Sequence, residues 1–174
     1  MKVLMIIANK GYQDKEYGIP KAIFEKEKIE VVTAAKREGV ATGKLGGKTK
    51  ATISIDEVDV AKYNAVVFIG GPGAVGYQHD VQAHLTAQEA INQGKALGAI
   101  CIAPTILAFA GVLDGIKATV WNEDEQQKKI LEQQGAIYVD EQVVVDGKIV
   151  TANGPKAAEE FAKKIVKILE LRDY

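Results

Sequence analysis

The stretch ALGAICIAPTILAFAG, Ala96 to Gly111, is the most apolar run in the chain and holds its only cysteine, Cys101. Lys95 to Ile100 reads as a strand buried on both faces, because the apolar residues continue without polar alternation. Past Cys101 the run reads as a buried strand turning into a buried helix. A strand covered on both faces needs helices packed on each side, so this stretch argues for α/β layering. Gly98, Pro104, Thr105 and Gly111 punctuate the wider run from Leu97 to Leu113. That run falls short of the roughly 18 to 20 apolar residues of a membrane span.

Two further segments repeat the central-strand pattern: KVLMIIA, Lys2 to Ala8, and Ala65 to Ile69, which Gly70-Gly71-Pro72-Gly73 ends abruptly. IEVVTAA, Ile29 to Ala35, is another strand. A helix is expected from Asp14 to Lys26, with Pro20 near enough to its start to kink rather than abolish it. Lys36 to Lys50 is rich in glycine and charge and reads as a loop or small hairpin before TISIDEV. Further helices are expected over Ala83 to Gln93, Asp124 to Gln134 and Pro155 to Leu171, the last with a clean amphipathic pattern. Ala118 to Val120 is a short strand candidate, and QVVVDGKIVTA suggests two strands around an Asp146-Gly147 turn. Alternating strands and helices imply an α/β sandwich with a largely parallel sheet, one domain over residues 1–174.

The formal net charge is −1, which gives no electrostatic case for nucleic acid or an anionic membrane as partner. A lone cysteine forms no internal disulfide, and MKVLMIIANKG lacks the features of a secretory signal, so a reducing cytoplasm is expected. Neither GxGxxG nor GxxxxGK[ST] is present, and two histidines without a cysteine pair or HExxH argue poorly for a metal. No cofactor and no metal are expected.

In such a fold the loops at the carboxyl ends of the strands gather on one edge, where ligands usually bind. NKGYQDKE, IGGPGA and CIAP would meet there. Cys101, at the joint of strand and helix, is placed like the residue of a nucleophile elbow, with helix-start amides to stabilise a thiolate. The alternative is a small hydrophobe filling the core. Glu16, early in the first helix, is positioned either to exchange a proton with that thiol or to be an ordinary solvated carboxylate. The Gly71 and Ile102 amides are candidate donors to an oxyanion; otherwise the glycines only make a tight strand exit. His79, with Asp80 to orient it, and Tyr12, Trp121 and Asn153 are candidates to line a pocket, with surface, packing or turn roles as the alternatives.

Taken in order, KVLMIIANKGYQDKE, VVFIGGPGA, AICIAPTILAFAGVLDG and DGKIVTANGP followed by an EFA-containing helix resemble the DJ-1/PfpI (ThiJ/PfpI) superfamily across essentially the whole chain. The resemblance implies a flavodoxin-like three-layer sandwich with a nucleophilic cysteine at a strained elbow, Cys101. It also implies a protonated glutamate bonded to that cysteine, Glu16, a glycine amide facing it, Gly71, and a homodimer capable of further assembly. Two departures stand out. Ile102 occupies a position that is histidine in many hydrolase-like relatives. Trp121 and Asn153 stand where the DJ-1 branch has histidine and arginine.

The implied activities diverge. One is a cysteine-dependent, glyoxalase-like conversion of a small reactive carbonyl, a 2-oxoaldehyde, to a 2-hydroxy acid, with Cys101 as nucleophile and Glu16 moving the proton. The alternative is a redox-sensing or protective chaperone protein whose Cys101 meets an oxidant. A cysteine peptidase or amidase is a third, and it needs an imidazole beside the thiol.

Overall fold

A computed structural model describes residues 1–171. Its strands are β1 (Lys2–Ile6), β2 (Lys10–Tyr12), β3 (Glu30–Ala35), β4 (Gly39–Gly43), β5 (Lys48–Ala51), β6 (Ile53–Ser54), β7 (Ala65–Phe68), β8 (Ala96–Ile100), β9 (Lys117–Ala118), β10 (Ile137–Tyr138), β11 (Val143–Asp146) and β12 (Ile149–Ala152). The helices are α1 (Asp14–Lys26), α2 (Val81–Asn92), α3 (Pro104–Phe109), α4 (Gln127–Gln133) and α5 (Ala158–Glu170).

The main sheet has the order β11-β12-β8-β7-β1-β3-β6. All of its pairings are parallel except β11 with β12. The five central strands thus follow the flavodoxin-like order 2-1-3-4-5. Side chains along β1 alternate between two cores, as the period of a strand requires. Leu4 and Ile6 pack with α2, α3 and α4 through Ala83, Ala87, Ile106 and Leu131. Val3 and Met5 face the other way, onto Phe24 of α1 and Phe161 and Ile165 of α5. Both faces are dry, which is why these strands read as unbroken apolar runs.

The Lys36 to Lys50 segment forms the β4–β5 hairpin, which β2 extends into a second, three-stranded sheet. Sequence pattern alone leaves β2 as loop, because three residues with a glycine among them carry no periodic signal. Ile137 and Tyr138 of β10 pair with Lys117 and Ala118 of β9, and the Val139 amide adds a bond to the Ala118 carbonyl. The expected helix at Asp124 starts three residues late: Asp124 instead accepts from the Gln126 amide and the Gln127 side chain, forming the turn before α4.

Candidate active site

Helix α1 begins where it does because the Gln13 side chain accepts from the Lys15 and Glu16 amides at 2.7 and 3.2 Å. Asp14 reaches back to the β4–β5 hairpin and accepts from the Leu45 and Gly47 amides at 2.7 and 2.8 Å. These contacts fix the first turn, and its third residue, Glu16, points inward with no solvent exposure. Glutamate is almost never fully buried without a partner. Here Oε2 accepts from the Gly70 amide at 3.1 Å, while Oε1 has no aligned hydrogen-bond partner.

Across from it, the chain leaves β8 and turns sharply at Cys101, whose φ is +63°. A non-glycine residue in this left-handed region carries strain of about 1 kcal/mol or more, so the surroundings must hold it there. They do so by two backbone bonds: the Cys101 amide donates to Ala152 of β12, and the Cys101 carbonyl accepts from Trp121, both at 2.8 Å. Pro104 then opens α3.

The second bond also aims an amide. In a trans peptide the carbonyl and the following N–H point in opposite directions, so the bond from Trp121 leaves the Ile102 N–H directed back at the sulfur. The Gly70 carbonyl is held in the same manner, accepting from Gln13 at 2.9 Å, which directs the Gly71 N–H. Both amides face Cys101 Sγ and favour its ionised form. Gly71 has φ +104°, and a Cβ there would lie 2.4 Å from the Gly11 carbonyl oxygen. No other residue fits.

Gly70 is the member of this cluster that sequence reading passes over. A Cβ on it would lie 2.6 Å from each of Cys101 Cβ, Glu16 Oε2 and the Ile100 carbonyl oxygen. Its lack of a side chain is what allows thiol and carboxyl to meet. The signal was present in the paired glycines after β7, though only the fold separates the task of the first from that of the second.

Electrostatics bind the pair together. Burial pushes Glu16 up to about 7, against smaller opposing effects of the Cys101 thiol, the Gly70 amide and the Lys44 charge. Burial, with the ionised Glu16 carboxylate facing it, pushes the Cys101 thiol up to about 12. Two acids in one dry site do not ionise together at neutral pH. A proton resting on Glu16 removes the opposing charge and leaves the two amides to act on the sulfur.

Trp121 and Asn153 line a groove of about 660 Å³ beside this cluster, together with Gln13, Lys15 and Lys156. Tyr12 and His79 do not line this groove. Tyr12 is buried at 2% exposure and packs edge-on against Tyr17, its hydroxyl 2.8 Å from Thr49 Oγ1. It belongs to the core because the short β2 turns its side chain inward. His79 lies against the Phe109 ring, 4.4 Å between centroids, and does not line the groove. Asp80 does not orient it: its carboxylate caps α2 through Ala83 and pairs with Lys36 at 2.7 Å. The groups that act on the Cys101 thiol include neither histidine.

Among the described residues no cluster of His, Cys, Asp and Glu fits a metal ion, and no helix is long and apolar enough to cross a membrane.

The chain is 38% identical over 170 residues to an uncharacterised protein of Methanocaldococcus jannaschii, covering 97% of this chain and 82% of that one. It is 32% identical to the deglycase PfpI of Pyrococcus furiosus, over 98% of this chain and all of the relative. A crystal structure of a ThiJ/PfpI domain protein from Brachyspira murdochii superposes with a TM-score of 0.93 at 33% identity, covering 98% of this chain and 96% of the other. The model of the DJ-1/PfpI family matches residues 1–168, a span that takes in both edge strands and all five helices nearly to the end of α5. With strand order, segment order and sequence in agreement over that whole span, the chain belongs to the DJ-1/PfpI family.

Proposed function

We propose that the protein is a cysteine-dependent enzyme of the glyoxalase or deglycase type, acting on small reactive carbonyls with Cys101 as nucleophile at an elbow. The observation that carries this reading is the convergence on one sulfur of two aimed amides and a buried carboxyl poised near neutrality. The relative named as a deglycase accords with carbonyl chemistry.

With a 2-oxoaldehyde, the Cys101 thiolate forms a C–S bond at the aldehyde carbon, and the resulting alkoxide lies between the Gly71 and Ile102 amides before taking a proton to give a hemithioacetal. Glu16, as carboxylate, removes the hydrogen from that carbon, and the electrons pass to the neighbouring carbonyl oxygen to form an enediol. Return of a proton to the second carbon gives a 2-hydroxy thioester. Water cleaves its C–S bond, releasing the 2-hydroxy acid and the thiol. One carbon is oxidised and its neighbour reduced, so the balance needs only water. A group near pKa 7 serves as acid and base in turn with little penalty at neutral pH.

Lactate formation from methylglyoxal tests this. Wild type is expected to turn over, Cys101→Ser to lose at least about 10³-fold, and Glu16→Gln about 10²-fold or more. Equal rates in all three would overturn the assignment.

A second reading uses the same two amides to hold an oxidised sulfur, two equivalents of peroxide converting the thiol to a sulfinate with release of two waters. Intact mass under graded peroxide tests it: a gain of two oxygens on Cys101 is expected, and oxidation of methionines alone would refute it. In either reading the homodimer implied by the family sediments at twice the chain mass.

A further inference from the structure

We propose that Gln78 and Thr105 are positioning residues of this site, their hydrogen bond clamping the segment that carries the Gly71 amide to the segment that carries the Ile102 amide. The inference rests on the reading that these two amides stabilise an anion at Cys101.

The two donors follow different strands, β7 and β8, with the whole of α2 between them in the chain. Nothing covalent and short fixes their separation, yet an oxyanion accepts two hydrogen bonds only if both donors are held within tenths of an ångström. From Gly71 the chain makes a 3-10 turn, Pro72–Tyr77, and arrives at Gln78. From Ile102 it enters α3, with Thr105 in the first turn. Gln78 Nε2 donates to Thr105 Oγ1 at 2.8 Å. The Thr105 hydroxyl donates in turn to the Ile102 carbonyl at 2.6 Å. That hydroxyl has one proton, so the direction of the chain of bonds is settled.

Both ends of the clamp are anchored. His84 Nε2 lies 2.7 Å from the Gln78 carbonyl, and since a carbonyl only accepts, this nitrogen carries the ring proton. Tyr77, one residue earlier, donates its hydroxyl to the Ile7 carbonyl at 2.9 Å, fastening the same loop to the end of β1. Thr105 is fully buried. A threonine that only bonded back to the Ile102 carbonyl would have no use for Gln78; the cross-link is what ties the two loops together.

The test compares wild type with Gln78→Ala, Thr105→Val, the double variant and Thr105→Ser, each checked for folding by circular dichroism. Two quantities are read: the pH midpoint of Cys101 alkylation by iodoacetamide, and kcat and KM for methylglyoxal. Misaligned amides favour the thiolate less, so each single variant is expected to raise the midpoint by about half a pH unit. It should lower kcat about tenfold with KM held within about twofold. The double variant should be no worse than the more damaging single, because both act through one chain of bonds, and Thr105→Ser should restore wild-type behaviour. A folded Gln78→Ala with wild-type midpoint and kcat would overturn the clamp, as would strictly additive losses in the double variant. If wild type fails to turn over methylglyoxal, the carbonyl chemistry proposed for Cys101 falls, and the alkylation midpoints alone still decide the clamp.

Discussion

Lys28 and Cys101 share a positive φ, +59° and +63°, in opposite surroundings. Lys28 follows α1 on the surface, its amide donating to the Glu25 carbonyl and its side chain in water. There the left-handed residue does what glycine usually does after a helix. Cys101 takes its positive φ between a buried strand and a buried helix, with backbone bonds to Ala152 and Trp121 and a fully buried glutamate across from its sulfur. The first turn would lose nothing if its side chain were absent. The second is strained around a side chain that glycine could not supply, and such cost is concentrated where a fold serves chemistry.

Changes that disturb the buried turn should therefore be severe and those at the exposed turn mild. The largest effect is expected from Gly70→Ala, whose added methyl meets Cys101, Glu16 and the Ile100 carbonyl at once. Turnover should fall at least about 10²-fold, and chemical denaturation should show a loss of about 2 kcal/mol or more. A Gly70→Ala protein with wild-type rate and stability would mean that thiol and carboxyl do not need this close approach.

A pH effect, on stability without the accompanying loss of rate, comes next. Glu16 titrates near 7 in the folded chain and near 4.5 when unfolded. Between these values the folded state keeps a proton that the unfolded state has released, so stability is greatest below about 4.5 as far as this group is concerned and falls as pH rises through 7. The shift corresponds to about 3 kcal/mol. Urea titrations of wild type and Glu16→Gln across this window should diverge by an amount of that order, with the variant flatter; parallel curves would place Glu16 among ordinary carboxylates. The smallest effect belongs to the exposed turn. Lys28→Gly should stabilise the protein by about 0.5 to 1 kcal/mol in the same assay and leave the alkylation rate of Cys101 unchanged.

The contrast also separates what a sequence displays from what only a fold assembles. The continuous apolar runs of β1, β7 and β8 and the amphipathic face of α5 are visible because burial imposes their pattern on neighbouring residues. Cys101, Glu16, Gly71 and Ile102 meet as their positions at strand ends imply. β2 and β10 escape notice because pairing with a distant strand, and not local composition, makes them strands. Tyr12 illustrates the cost of missing one: as a loop residue it reads as a pocket wall, while as the last residue of β2 it belongs inside. His79 and Asp80 lie near each other in sequence, yet Asp80 is taken by Lys36, a residue from the other side of the sheet order. Gly70 and the Gln78–Thr105 bond depend on distances across loops, which no spacing in the chain encodes.

The protonation of Glu16 beside Cys101 is read most directly from the infrared carbonyl stretch of a protonated carboxyl in wild type minus Glu16→Gln between pH 4 and 9. A single protonated carboxyl is expected, persisting in the folded protein and titrating near pH 7. Its disappearance by about pH 5, in the range of a solvated glutamate, would contradict a buried proton held next to the thiol and with it the acid and base role assigned to Glu16.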